Sequence, residues 1–229
     1  MNITLVVFNV SSFRDSRFFR NFAKIIFKIM TKRNCTILIL LLLIVDQIVK
    51  IWIKTTFTLD ESVDVLGDWF KLRFIENPGA AYGFELGGKY GKLILSLFRV
   101  VAVSLIGYYI YAKLIPRKVN TGIIVGFVLL LAGALGNIID CAFYGLIFSD
   151  STPFTVAEIF PADGGYGTFL HGKVVDMLYF PIIHGHYPEW LPAVGGQPFT
   201  FFSPIFNIAD AYISVGVIYL LLFHSKHLK

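Results

Sequence analysis

The chain alternates between long apolar stretches and shorter polar, turn-rich ones. Four apolar stretches, residues 36–54, 92–114, 121–143 and 205–223 in round terms, can each cross about 30 Å of hydrocarbon as a helix of about 20 residues. That pattern predicts four transmembrane helices. Between the first two, Trp69-Phe70-Lys71-Leu72-Arg73-Phe74 alternates apolar and polar side chains with the period of a strand, and Asn77-Pro78-Gly79 then signals a turn. A small sheet-like platform on the membrane fits this segment. Residues 144–204 form a long connection rich in Gly, Pro and aromatics, which suggests a cap or binding element. The expected fold class is an all-α membrane protein of four transmembrane helices, with a small β platform and extended loops on one side.

Composition strengthens this reading, because 56% apolar, 16% aromatic and only 15% charged residues depart from a soluble domain of this size. Four crossings put both termini on one side. Arg14, Arg17, Arg20, Lys24, Lys28, Lys32 and Arg33 precede the first span, Lys113, Arg117 and Lys118 link the second to the third, and Lys226 and Lys229 follow the fourth. By the positive-inside rule these segments are cytoplasmic. Every acidic residue except Asp15 then falls in an outer loop or toward the outer end of a span. Residues 1–35 read as a basic extension, 36–225 as the membrane unit and 226–229 as a tail. Within the extension, residues 13–29 place Arg and Lys opposite Phe18, Phe22, Ile25, Ile26 and Ile29, as in a basic helix lying on the membrane. The alternative is that translation starts at Met30. The two cysteines, Cys35 and Cys141, fall a membrane apart and cannot pair.

Charges inside apolar spans mark function by default, because hydrocarbon makes an ionisable group expensive. Two spans carry the same signature, Asn137-Ile-Ile-Asp140 and Asn207-Ile-Ala-Asp210, and Asp176 lies in the short apolar run Val174-Val175-Asp176-Met177 between them. Asp46 and Lys50 lie one helical turn apart in the first span and read as a structural pair. Helical rise brings Asp46, Asp140 and Asp210 to one depth near the outer face, where the loop residue Asp176 can join them. Each Asn lies three residues before its Asp and shares its face, so it can hold the carboxylate by hydrogen bonds. Ala132, Gly133, Ala134 and Gly136 leave a smooth surface for close helix approach. His184-Gly-His186 has no third ligand at a recognisable spacing and is read as no metal site.

Two aspartates in a poorly solvated site couple their titrations and hold one proton between them. Such a pair can activate a water for attack on an amide carbonyl while the protonated partner polarises that carbonyl. The rival is a proton or ion relay in a small transporter. A relay needs polar stations through the whole depth, whereas Ile123 to Leu131 and Val217 to Phe223 carry no ionisable group.

Asp46-Gln-Ile-Val-Lys50, Glu76-Asn-Pro-Gly-Ala-Ala-Tyr-Gly83, Gly133-Ala-Leu-Gly-Asn-Ile-Ile-Asp140, Val174-Val-Asp176 and Phe206-Asn-Ile-Ala-Asp210, in that order, closely resemble lipoprotein signal peptidase (signal peptidase II). The resemblance implies an aspartyl endopeptidase of the bacterial inner membrane that cuts prolipoproteins just before a diacylglyceryl-modified cysteine, with its site at the periplasmic face. It implies that Asp176 and Asp210 are the catalytic dyad and that Asp140 supports them. A non-catalytic lipoprotein-binding membrane protein is a further alternative, which the intact Asp pair opposes. Asp46, Lys50, Asn77, Gly79, Gly133, Asn137, Val174, Asn207 and Ala209 fall on the family's remaining motif positions, which shape the site and bind substrate. The partners implied are lipobox-bearing prolipoproteins and membrane lipid, with no nucleic acid, no cofactor and no metal, and a monomeric enzyme. Two features depart from the family pattern. Cys141 stands where an Arg is usual, with Lys173 or Lys50 as replacement cations, and the segments flanking Asp176 are longer than usual.

Overall fold

In the computed structural model, residues 30–78 and 91–225 are described. Among the described residues, four long apolar helices and two antiparallel sheets make up the fold. Helix α1 (Lys32–Lys54) starts where the Thr31 side chain accepts a hydrogen bond from the Asn34 backbone N–H. The start is earlier than the expected boundary at residue 36. Met30 and Cys35 are already buried in the bundle core, so residues 30–35 belong to the helical unit and not to an extension. The expected basic surface helix over 13–29 lies outside the described residues, as do Gly79 and the 226–229 tail.

Strands β1 (Ser62–Leu66) and β2 (Phe70–Asn77) form a hairpin whose turn includes Gly67 at φ +52°, a left-handed conformation that glycine adopts without strain. Helix α2 (Gly91–Tyr108) continues as a π-helical turn to Leu114. Helix α3 (Thr121–Ile139) is capped by the Asn120 side chain on Gly122 N–H, and it widens into a π turn over Asp140–Tyr144 before ending at Ile147. Then come β3 (Val174–Tyr179), β4 (Ile183–His186), β5 (Pro198–Phe201), β6 (Ile205–Phe206) and helix α4 (Ile208–His224). The main sheet has the order β1-β2-β3-β6 and is antiparallel throughout, while β4 and β5 pair separately.

Three helical segments, 32–54, 96–114 and 121–147, are long and apolar enough to cross a membrane. The fourth, α4, has 17 residues, at the short end of what a crossing requires. It is shorter than the apolar run because Ile205 and Phe206 pair with Tyr179 and Leu178 as strand β6, and Asn207 then caps the helix.

Two apolar cores lie above and below a polar layer. Along α1 the order is Ile39, then Asp46 and Lys50, then Ile53; along α3 it is Leu131, then Asn137 and Asp140, then Tyr144. Ile39 and Leu131 belong to the lower core, with Ile110, Val128 and Leu220. Ile53 and Tyr144 belong to the upper core, with Phe57, Phe74, Phe148, Val175 and Met177. Meanwhile Leu40, Leu41, Ile44 and Ile48 of α1, and Ile218, Leu221 and Leu222 of α4, stay exposed. Apolar patches of that extent fit a helix surface facing lipid.

Candidate active site

Asp176 sits on strand β3, a correction to its expected place in a loop. The run Val174–Met177 concealed the strand because β3 is buried on both faces, which removes the alternation that marks a half-exposed strand. Val175 and Met177 point into the upper core, so Val174 and Asp176 point the other way. In the β2–β3 register Asn77 lies opposite Val174 and Ile75 opposite Asp176. Asn77 thereby hydrogen-bonds the Asp176 carboxylate.

The β3–β6 pairing delivers the second carboxylate. Phe206 pairs with Leu178 at the end of β6, and the chain then turns into α4 at Asn207, whose side chain reaches Asp176. Asn207 Nδ2 donates to Asp176 Oδ1 at 2.6 Å. Asn207 also caps α4 in a capping box with Asp210: the Asp210 backbone N–H donates to Asn207 Oδ1 at 2.9 Å, and the Asn207 N–H to Asp210 Oδ2 at 3.4 Å. The Asp210 carboxylate therefore stands at a helix N-terminus, where partial positive charge favours an anion.

Asn137 joins the two halves. Its Nδ2 donates to Asp210 Oδ1 at 2.8 Å, while its Oδ1 accepts from Asn207 Nδ2 at 3.1 Å and from Lys50 Nζ at 2.9 Å. The expected Asp46–Lys50 pair proves to be part of a larger centre. Lys50, wholly buried, pairs with Asp46 at 3.1 Å and with Asp140 at 2.8 Å. Asp46 Oδ1 in turn accepts the Ala209 backbone N–H at 3.0 Å, and Asp140 Oδ2 accepts that of Val175 at 3.4 Å. The centre thus holds α1, α3, α4 and β3 at one point. Among the described residues no buried side-chain polar atom lacks a partner, as a stable buried network requires.

Gly133 and Gly136 explain how the helices come so close. A Cβ on Gly133 would lie 2.3 Å from the Ala209 carbonyl oxygen, and one on Gly136 would lie 2.5 Å from Asp46 Oδ2. Both side-chain vacancies are filled by the neighbours that build the site.

Burial, and then the nearby Asp210 carboxylate, pushes the Asp176 carboxyl up to about 7. A strand carboxyl that favours its proton, set beside a second carboxyl, is an arrangement able to exchange protons with a bound substrate.

Some contributors escaped the sequence reading. Gln47 donates to Asp140 Oδ1 at 2.9 Å and to Asp46 Oδ2 at 3.1 Å, and its Oε1 accepts from the Tyr144 hydroxyl. The signal for it was present, since an amide inside an apolar span also needs partners. Of the cations considered in place of the Arg usual at position 141, Lys50 holds Asp46 and Asp140, and Lys173 holds Glu76 and Asp150. Arg99 of α2 lies with Nη1 at 3.5 Å from the Cys141 sulfur. Both cysteines are buried, and neither forms a disulfide. His184 and His186 lie on β4, and among the described residues no group of three or more His, Cys, Asp or Glu could hold a metal.

Comparison with known proteins agrees with the motifs. The family model described as "Signal peptidase (SPase) II" matches residues 38–226. A protein of Porphyromonas gingivalis called "Lipoprotein signal peptidase" is 50% identical over 190 residues, covering 82% of this chain and 81% of that one. One of the same name from Amoebophilus asiaticus is 34% identical over 180 residues, covering 78% of this chain and 72% of its own. Two solved structures titled as bacterial membrane enzymes superpose with TM-scores of 0.59 and 0.55. They are 24% and 26% identical and cover 89% and 84% of this chain, and 94% and 95% of their own.

Proposed function

The chain belongs to the signal peptidase II family, and on that footing we propose that it removes signal peptides from prolipoproteins with Asp176 and Asp210 as an aspartyl dyad. The observation that carries this reading is the linkage of the two carboxylates through Asn207 and Asn137, at a level that three helices and a strand share.

Asp210 acts as the base. Its place at the α4 N-terminus, with the Asn137 amide on Oδ1, suits a carboxylate. Asp176, held near a pKa of about 7 by burial and by Asp210, enters protonated as the acid. Asp210 takes a proton from water as its oxygen bonds to the scissile carbonyl carbon, and Asp176 gives its proton to the carbonyl oxygen. The gem-diol then collapses. The C–N bond breaks, Asp210 passes its proton to the leaving amine, and Asp176 recovers one from the collapsing hydroxyl. No metal or cofactor enters the scheme. Asp46, Lys50 and Asp140 fix the helices around the dyad, while Asn77, Asn137 and Asn207 aim its carboxylates; Gly133, Val174 and Ala209 shape the wall. Gly79, outside the described residues, is assigned to substrate on the motif alone.

The substrate is a lipobox-bearing prolipoprotein with a diacylglyceryl cysteine. Its signal helix enters sideways from the bilayer, its acyl chains remain in lipid, and the scissile bond reaches the dyad at the periplasmic interface of the inner membrane. The four apolar helices cross the membrane with both termini cytoplasmic, and the enzyme works as a monomer without nucleic acid. A transporter is disfavoured because Ile123 to Leu131 and Val217 to Phe223 carry no Asp, Glu, Lys, Arg or His that could relay a charge through that depth.

The test is cleavage of a diacylated lipobox peptide by purified protein in lipid, with products identified by mass. A cut immediately before the lipidated cysteine, lost on the unacylated peptide, is expected. No cleavage by well-folded protein would overturn the reading.

A further inference from the structure

A second buried charge cluster lies behind the platform, outside the dyad and its aspartate–lysine centre. Glu76 of β2 is 3% exposed at its side chain and uses both oxygens. Oε1 takes Lys54 Nζ of α1 and the Ser151 hydroxyl, and Oε2 takes Lys173 Nζ at 3.0 Å. Lys54 also reaches Ser151 Oγ at 2.9 Å, and Lys173 reaches Asp150 at 2.7 Å. Both ammoniums lie beside the Tyr166 ring, at 5.1 and 5.0 Å from its centre. Two lysines and two carboxylates leave the cluster neutral.

Its members stand next to the dyad strand in sequence and in register. Glu76 pairs with Val175, the residue before Asp176. Asn77, which holds Asp176, follows Glu76 directly, and Lys173 directly precedes β3. The sheet also meets α1 through Ile53, which shares an apolar core with Phe74, Val175 and Met177, and through Lys50, whose partner Asp140 accepts the Val175 N–H at 3.4 Å. Apolar burial is non-directional and tolerates sliding. Charge-assisted hydrogen bonds fix a geometry.

We propose that Glu76 is a positioning residue of the peptidase: it clamps the β2–β3 pair to α1 and to the long 144–173 segment, and so sets where Asp176 stands against Asp210. This rests on the dyad proposed above. The groups facing Asp176 are Asp210 and Asn207 from α4, Asn77 from β2, Lys50 from α1 and, through the Val175 backbone, Asp140 from α3. None belongs to the clamp, so the clamp acts through placement. When it is released, the carboxyl gains water and loses the burial that holds its proton.

The experiment compares wild type, Glu76→Gln, Lys173→Met, Lys173→Arg and Asp210→Asn on the diacylated peptide in lipid, with kcat, KM, pH profile and Tm for each. For Glu76→Gln, kcat should fall about tenfold or more with KM within about twofold, because misplacement of a reacting group costs rate before binding. Its alkaline limb should also move to lower pH. Lys173→Met, whose ammonium is 30% exposed at its side chain and so removable without stranding a buried cation, should show the same two changes in smaller measure. Lys173→Arg should restore both. Wild-type kcat and pH profile in folded Glu76→Gln would overturn the proposal; if that variant does not fold, the same result in Lys173→Met overturns it. A lower Tm with unchanged kinetics would likewise reduce the cluster to a structural support. An inactive wild type, or an active Asp210→Asn, would instead bring down the dyad itself.

Discussion

At the scale of single residues, Asp176 opposes stability. Its carboxyl is raised to about 7 by burial and then by Asp210, so the folded state holds the proton more tightly than the unfolded chain. A group raised in this direction makes its stabilising contribution at low pH and loses it as pH climbs from about 4 toward about 7. Asp176→Asn keeps an acceptor for Asn207 and removes that loss. We predict that it raises Tm over wild type at about pH 8 and that the gain shrinks at about pH 5, measured by thermal unfolding in detergent. Lys50 is the opposite case. Taking it away strands Asp46 and Asp140, both wholly or almost wholly buried, so Lys50→Met should cost roughly 3–5 kcal/mol. Asp46→Asn retains an oxygen for the Ala209 N–H and should cost only about 1–3 kcal/mol, with reduced but measurable cleavage.

Among the elements, α3 and α4 meet through glycine, and that contact sets the site. A methyl on Gly133 would press on the Ala209 carbonyl, which is backbone and cannot rotate aside. Gly133→Ala should therefore destabilise by about 1–3 kcal/mol and lower kcat, read from denaturation and turnover together. The helices and their polar faces were legible in sequence, because Asn137, Asp140, Asn207 and Asp210 keep helical spacing within apolar runs. The strand β3 was not, since burial on both faces erases its alternation. Nor was the true start of α4: Ile205 and Phe206 are as apolar as a helix, and only pairing with β3 makes them a strand. The Glu76 cluster was hidden for a related reason, as Lys54, Asp150, Ser151 and Lys173 come together only once the long segment folds back onto the sheet.

On the scale of the whole molecule, two apolar cores hold one polar layer, and the proposed chemistry occurs in that layer. Helix α1 carries its own cap at Thr31, and Met30 packs into the lower core. A chain starting at Met30 should thus keep cleavage and Tm close to those of the full chain, which expression and assay of the truncated form would check. The central claim is that Asp176 and Asp210 together perform the hydrolysis, and single-turnover cleavage of the diacylated peptide by Asp176→Asn and Asp210→Asn tests it most directly. Both variants should fold and bind the peptide yet lose nearly all cleavage, whereas wild-type rates in either would contradict the account.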